Sequence, residues 1–217
     1  PKGVVIKSLA DLKGFDLDFP VIVKPASENA SLGITPRSVV RDRNDLEEPV
    51  RMVLEQYHQP ALVERFIDGR EFNVALMGGT EPVVLPVAEI DYSGLPKGLP
   101  RILFYEAKWM EDSPVYHQTP ARCPAVLKPQ IEERIRLVAR RAYDALGCTG
   151  YARVDLRMST TGRVHVLEVN CNPSLSPTAG FARSALAAGL EYDQLIERIL
   201  LDAFTTGHAG VPNRPGK

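Results

Sequence analysis

Residues 150–158 read GYARVDLRM, residues 159–162 read STTG and residues 163–178 read RVHVLEVNCNPSLSPT. Two runs of alternating apolar and polar residues flank a four-residue turn ending in Gly162, which is the pattern of a β-hairpin. Side chains alternate faces along a strand, so Tyr151, Arg153 and Asp155 share one side of the first run. On the second run Val164, Val166, Glu168 and Asn170 are expected to share a side. A symmetric closure pairs Met158 with Arg163, sets Arg153 across from Glu168 and leaves Asp155 diagonal to Glu168, so these groups lie about 5 to 8 Å apart.

Two carboxylates and an amide oxygen at that separation form a hard-oxygen site suited to Mg²⁺, whose other positions water and phosphate fill. Arg153 beside them could neutralise a phosphate or an oxyanion. The alternative is an Arg153–Glu168 ion pair on a solvated face with Asp155 as a bystander, an interaction of little energy. The apolar residues Val154, Leu156, Leu167 and Val169 are expected on the opposite face. Charges on an otherwise apolar sheet need a counter-charge, which favours the metal reading.

The other segments are built around this hairpin. Val4–Lys7 reads as a strand, followed by a short helix that Ser8 could cap, and Phe19–Pro25 as a buried strand with Lys24 near its end. A loop of small and polar residues, Ala26 to Gly33, follows, and Ile34–Val40 is expected to resume an extended course. A lysine before a glycine-bearing loop suits phosphate binding, although neither a P-loop nor a GxGxxG pattern is present; a lysine snorkelling beside a hairpin loop reads equally well. Asn44 is expected to cap a helix to about His58, buried through Leu46, Val50, Val53, Leu54 and Tyr57. Strands over Ala61–Phe66, Glu71–Met77 and Pro82–Ile90 come next. Glu64 alternates with Leu62 and Phe66, so it must be paired or meet something polar; Glu71 is placed in solvent on local grounds. Residues 91–124, ending their first part in Tyr105, Lys108 and Trp109, read as an irregular lid-like segment. A helix from Pro129 to Leu146 presents Ile131, Ile135, Val138, Ala142 and Leu146 on one face. After the hairpin, Ser176 or Thr178 could cap a helix to about Ala188, and Tyr192–Phe204 forms the last helix. The tail from Thr205 is rich in Gly and Pro, and residues 208–217 are expected to be disordered.

Composition narrows the class. The chain has 217 residues, 44% hydrophobic and 24% charged, with a formal net charge of −1, which disfavours a broad nucleic-acid or anionic-membrane surface. Cys123, Cys148 and Cys171 have no CxxC spacing and the four histidines no ligand spacing, so neither a disulfide framework nor a zinc site is expected. No apolar run reaches membrane-spanning length, and a cytoplasmic location is the expectation. The sequence opens on Pro1-Lys2-Gly3 directly before an apolar run and reads as starting inside a longer protein.

Read in order, IVKPASENASLG, LVERFIDGREFNVA, FYEAKW, LGCTGYARVDLRM and LEVNCNPSLSP resemble the ATP-grasp domain of D-alanine–D-alanine ligases over residues 1–204. The resemblance implies an α/β (α+β) ATP-grasp fold in which two subdomains with mainly antiparallel sheets hold ATP between them. Residues 1–78 would form the small subdomain and residues 79–207 the large one. It implies ATP and two Mg²⁺ ions, with Mn²⁺ as a substitute. Lys24 matches the lysine on the ATP phosphates, and Glu28, Ser31 and Gly33 lie in the loop that covers them. Glu64, Arg65, Phe66 and Ile67 match the adenine-reading linker and Glu71 the ribose glutamate. Asp155, Glu168 and Asn170 match the metal ligands. Arg153 matches the arginine that stabilises the acyl-phosphate and tetrahedral intermediate, Lys108 the loop lysine near the γ-phosphate and substrate carboxylate, and Ser174 the oxyanion-hole glycine. The implied reaction forms an acyl-phosphate and then an amide from small-molecule carboxylate and amine substrates, with a homodimer or a missing N-terminal domain completing the protein.

Departures from the family pattern fall on the substrate side. Ala30 and Trp109 stand where the ligases carry a hydrogen-bonded serine and tyrosine, and Ala179 stands about where a serine grips the second substrate. D-Alanyl-D-alanine is therefore not the expected product. A catalytically silent nucleotide-binding module and an ATP-dependent small-molecule kinase are the alternatives.

Overall fold

Val21 and Val23 alternate with Ile22 and Lys24, and the first pair is fully buried while the second is half-buried. That alternation sets one of two sheets in the computed structural model, which describes residues 1–79 and 81–207. Contacts divide the chain into two units, Pro1–Gly69 with Asp91–Pro120, and Arg70–Ile90 with the chain from Ala121 onward. This differs from the expected division at residue 78: the segment 91–120 belongs with the first unit.

The first unit contains β1 (Gly3–Ile6), β2 (Val21–Pro25), β3 (Val39–Val40), helix α1 (Glu47–Gln56), β4 (Ala61–Arg65) and the short helices α2 (Tyr105–Trp109) and α3 (Pro114–His117). Its sheet has the order β1-β4-β2-β3 with antiparallel pairings. One face packs Ile6, Val21, Val23, Val40, Ala61 and Val63 against Val50 and Val53 of α1. On the other face, Ile22 and Val39 pack with Phe66, Ile102, Phe104 and Ala107, so the lid-like segment is partly helical and has a core of its own. Two local expectations are corrected. The cap before α1 is formed by Asp42, whose Oδ1 accepts from the Asn44 N–H at 2.8 Å over a 3₁₀ turn, rather than by Asn44. Ile34–Val40 is extended only at Val39–Val40, because Thr35 starts a 3₁₀ turn whose first residue is Pro36. The short helix expected after Ser8 is a 3₁₀ helix over Leu9–Gly14 with Ser8 as its N-cap, and the Asp11 carboxylate reaches back to the Lys7 and Ser8 N–H groups at 2.9 Å.

The second unit holds β5 (Gly69–Gly78), β6 (Val83–Val84), β7 (Ala88–Ile90), β8 (Ala121–Arg122), α4 (Pro129–Ala145), β9 (Gly150–Ser159), β10 (Val164–Asn170), α5 (Gly180–Ala187) and α6 (Tyr192–Gly207). The order is β10-β9-β5-β7-β8, with β6 on β5. Pro86 cannot donate to a ladder, and the single strand expected over 82–90 is split into β6 and β7 on either side of it. Phe72, Val74, Leu76, Ala152, Val154 and Leu156 form one sheet face against Ile135, Ala139 and Tyr143 of α4. Leu146, expected on that helix face, caps the helix and is 65% exposed. At one end of the opposite face, Ala75 and Met77 pack with Phe181, Ala185 and Leu195 of α5 and α6. Neither Ser176 nor Thr178 caps α5; its N-cap is Ala179. Helix α6 runs on through Gly207, and the expected disordered tail 208–217 lies outside the described residues. Among the described residues no helix is long and apolar enough to cross a membrane.

Tyr143 is buried, its hydroxyl donating to the Gly78 carbonyl at 2.9 Å, and burial pushes its pKa up to about 12. A folded-state pKa raised from 10.0 contributes stability that is complete below about pH 10 and is lost as pH rises toward 12. Tyr143→Phe should cost about 0.5–1.5 kcal/mol at pH 8. Urea unfolding at rising pH should show the gap between wild type and variant shrinking; a gap that widens above pH 10 would refute the assigned burial.

Candidate active site

In the hairpin, Val164 pairs with Met158 and Val166 with Leu156, and the register then shifts by one so that Glu168 opposes Asp155 and Asn170 opposes Arg153. The irregularity between Val166 and Glu168 is a β-bulge, and it reverses the parity of the strand. Val164, Val166 and Val169 therefore all pack on the α4 core. The expectation that Val164 and Val166 share a face with Glu168 and Asn170 is corrected by this bulge. The expected pairings Met158–Arg163 and Arg153–Glu168 and the diagonal placement of Asp155 and Glu168 are corrected by the bulge together with a turn that closes one residue later, on Met158 and Val164. The two carboxylates are directly opposite.

The face away from α4 carries a connected set of charges. Arg153 donates to Asp155 through Nε–Oδ1 at 2.7 Å and Nη2–Oδ2 at 2.8 Å, and its Nη2 lies 3.6 Å from Glu168 Oε1. Asn73 Nδ2 donates to Asp155 Oδ1 at 2.8 Å from the neighbouring strand β5. Arg157, only 3% exposed, lies 3.5 Å from the carboxylate of Glu71. Asp155 and Glu71 are both buried, so Asp155 is no bystander and the placement of Glu71 in solvent is corrected. Burial alone would lower the Arg153 pKa; the hydrogen bonds and charge of Asp155, with Glu168 and Glu71, raise it instead. Three carboxylates against two guanidinium groups leave one negative charge in excess among these residues.

A hard divalent cation suits this donor set. A carboxylate has about four acceptor positions, and Arg153 and Asn73 use three of those on Asp155. Glu168 has 48% of its side chain exposed, and Asn170 Oδ1 accepts one hydrogen bond, from the Asn172 N–H at 2.9 Å. Among the described residues no three His, Cys, Asp or Glu side chains converge as a metal cluster, so a metal here relies on the Asn170 amide oxygen. Beyond Asn170, Ser174 is exposed and its hydroxyl accepts from the Ser176 N–H at 3.3 Å. Its φ is not positive, so the backbone of this turn accepts a residue other than glycine.

The first unit presents a second group. Lys24 on β2 and Glu64 on β4 form an ion pair on the face away from α1, and the Glu64 pairing demanded by its apolar neighbours is thereby met. Arg65 is exposed while Phe66 and Ile67 are buried; the Arg65 and Phe66 N–H groups donate to the Lys2 and Pro20 carbonyls, both at 2.9 Å. In the loop after β2, Ala30, Ser31 and Gly33 have φ of 57°, 65° and 77°. A Cβ at Gly33 would meet Pro25 Cγ at 2.5 Å, so both conformation and space call for glycine there. Exposed Glu28 accepts from Gln59 Nε2 at 2.8 Å. Ser31 Oγ donates to the Leu103 carbonyl at 2.7 Å, and the Trp109 indole N–H donates to the Ala30 carbonyl at 2.7 Å. Lys108 Nζ lies 5.9 Å from the centre of the Trp109 ring.

Sequence reasoning missed Asn73 and Arg157, although strand alternation places each of them two residues beyond Glu71 and Asp155 on the same strand face. It also missed the Trp109 and Ser31 bonds, which join segments 79 and 72 residues apart.

Trp109→Phe keeps the ring and removes the indole donor. Losing about 1 kcal/mol of loop hydrogen bonding should raise amide exchange in residues 28–33 about fivefold, with global unfolding unchanged. Exchange identical to wild type would show that the indole bond does not hold the loop.

Known proteins share both the sequence and the fold. The family described as D-ala D-ala ligase C-terminus matches residues 8–201. An uncharacterised protein of Sinorhizobium fredii is 38% identical over 185 residues, covering 85% of this chain and 52% of that protein. The D-alanine–D-alanine ligase of Haemophilus influenzae is 33% identical over 200 residues, covering 92% of this chain and 58% of that ligase. The crystal structure of the Bacillus anthracis D-alanine–D-alanine ligase complexed with ATP superposes with a TM-score of 0.71 at 22% identity, covering 97% of this chain and 62% of that one. The VanG D-Ala:D-Ser ligase of Enterococcus faecalis superposes with a TM-score of 0.72 at 25% identity, covering 92% of this chain and 55% of that one. The chain thus spans a little over half the length of these curated relatives. With the family matched over nearly its whole length and the architecture shared, the chain belongs to the D-alanine–D-alanine ligase C-terminal family and has the ATP-grasp fold.

Proposed function

We propose that this chain is the ATP-grasp portion of an ATP-dependent carboxylate–amine ligase of the D-alanine–D-alanine ligase type, acting with an acceptor other than D-alanine. The observation that carries the reading is the array of Arg153, Asp155 and Glu168 on one sheet face, with Asn73 fixing Asp155 and one carboxylate charge in excess. Asp155, Glu168 and Asn170 would hold Mg²⁺, two ions or Mn²⁺ in their place; bound there, the metal would supply charge neutralisation for phosphate oxygens.

The chain's own groups divide the remaining work. Lys24 is the phosphate cation of the first unit, shared with Glu64 in the ion pair. The Glu28–Gly33 loop offers backbone N–H groups to phosphate oxygens. Because the Arg65 and Phe66 N–H groups are already committed, reading of adenine falls to the linker carbonyls and the Ile67 N–H. Glu71 is the ribose-side acceptor, held in place by Arg157. A substrate carboxylate oxygen attacks the γ-phosphorus, releasing ADP and giving an acyl-phosphate. The amine nitrogen then attacks the acyl carbon and phosphate leaves. Arg153 and Lys108 offer donors to the charge that develops, and the Ser174 N–H to the oxyanion.

Four substitutions, at Ala30, Trp109, Ser174 and Ala179, support a changed acceptor. Trp109 bonds to the backbone of Ala30 rather than to a serine hydroxyl, Ala179 has no side-chain donor, and Ser174 adds a hydroxyl. The structural similarity to a ligase named for D-Ala and D-Ser is consistent with one scaffold serving several acceptors.

Glu168→Gln should lower nucleotide-dependent phosphate release, measured with a panel of amino acids and hydroxy acids, by about two orders of magnitude or more. Circular dichroism and urea unfolding should be unaffected, since Glu168 is exposed. Equal turnover in the variant would reject the metal assignment, and D-alanine as the preferred acceptor would reject the altered specificity.

A further inference from the structure

Two of the three cysteines that carry no motif in the sequence meet in the fold, with Cys148 Sγ 3.5 Å from Cys171 Sγ. Each is positioned by an ordered element. After α4 the chain turns through Gly147 at φ 62°; the Gly147 N–H donates to the Asp144 carbonyl at 3.0 Å and the Cys148 N–H to the Tyr143 carbonyl at 3.1 Å. These two bonds make a Schellman cap, which folds Cys148 back against the last turn of the helix. Its side chain is half-buried and packs on the α4 core. Cys171 follows directly on Asn170, the last residue of β10, whose partner is Arg153, and it is exposed. One thiol is thus anchored and the other faces solvent. A disulfide needs sulfurs about 2.05 Å apart, an approach of about 1.5 Å that rotation of an exposed cysteine side chain can supply. Cys123 has separate neighbours, with its Sγ 3.5 Å from the Pro86 carbonyl and 3.7 Å from Ser184 Oγ.

We infer that Cys148 and Cys171 are a thiol-oxidation site, closing to a reversible intramolecular disulfide when the protein meets a hydroperoxide, and that the bond braces the turn at residues 171–176. The Cys171 sulfur attacks the peroxide oxygen, the O–O bond breaks, and a sulfenic acid and one molecule of water or alcohol result. The Cys148 sulfur then attacks Cys171, forming the S–S bond and expelling the sulfenic oxygen as water. Two electrons and the two thiol hydrogens end on the oxygens of the peroxide. In the thiol state the turn is held by side-chain bonds: Tyr151 OH to Asn172 Oδ1 at 3.3 Å, and the Asn172 N–H to Asn170 Oδ1 at 2.9 Å. The disulfide adds a covalent tie from this turn to the cap of α4.

Hydrogen peroxide added to the chain, followed by intact-mass measurement, peptide mapping and amide exchange, tests the site. The expected result is loss of two hydrogens, a single crosslinked peptide pair containing Cys148 and Cys171, and full reversal by dithiothreitol. Exchange at residues 171–176 should slow several-fold in the oxidised form. Cys123→Ser should behave as wild type, and Cys171→Ser should lose no hydrogens. Stable sulfinic acid on Cys171 beside reduced Cys148, or a crosslink through Cys123 or between chains, overturns the site. A Cys148–Cys171 disulfide that leaves exchange at 171–176 unchanged overturns the bracing.

Discussion

A guanidinium with 3% exposure and two buried carboxylates cannot remain charged on a sheet face without one another. Arg157 of β9 needs Glu71 of β5, while Asp155 needs Arg153 beside it on β9 and accepts from Asn73 on β5, so the charges tie the two strands together. The other side of the same strands imposes an equal condition. Phe72, Val74, Ala152, Val154 and Leu156 must meet Ile135, Ala139 and Tyr143. A slip of one residue in either strand would turn its charges toward α4 and its apolar side chains away, so hydrophobic burial and charge pairing specify one register between them. The candidate site is the polar face that this core leaves over.

The bulge in β10 reconciles two demands that plain alternation cannot meet together. Val164 and Val166 have to reach the α4 core, and Glu168 and Asn170 have to reach Asp155 and Arg153. In VHVLEVN these four residues fall on one parity, and only an extra residue moves the last two to the opposite face. This explains how much of the hairpin was legible. Its existence and the alternation that groups Arg153 with Asp155 follow from local pattern, because alternation and turn composition are properties of neighbours in sequence; the turn closes on Val164 rather than on the expected Arg163. The bulge is decided by packing against a helix that begins at Pro129, which no window on the hairpin contains.

The same division between local and distant causes runs through the rest of the chain. Helix α4 could be read from its proline start, its apolar spacing and its Gly147 stop. The caps were less legible, since Asp42 and Asn44 are both good cap formers and only the backbone settles which one is used. Glu71 was misplaced because a glutamate after a turn looks solvated until Arg157, far along the chain, is brought beside it. The cysteines gave no signal at all. Odd number and absent spacing argue against a disulfide framework, but they say nothing of two thiols brought together by a helix cap and a strand end.

The loop at residues 26–33 shows why a substitution can be large in sequence and small in mechanics. Left-handed backbone at Ala30 and Ser31 costs about 1 kcal/mol or more at each residue and persists only where surrounding contacts hold it. Here the Ser31 hydroxyl and the Trp109 indole hold it, each through a backbone carbonyl. An alanine at position 30 offers no hydroxyl, but its carbonyl is present whatever its side chain, and an indole donor reaches that carbonyl at 2.7 Å. The loop's shape is therefore kept by a bond that makes no demand on residue 30. The side chain at position 30 is thereby freed from holding the loop, which residues 31 and 109 hold through carbonyl groups that every residue has.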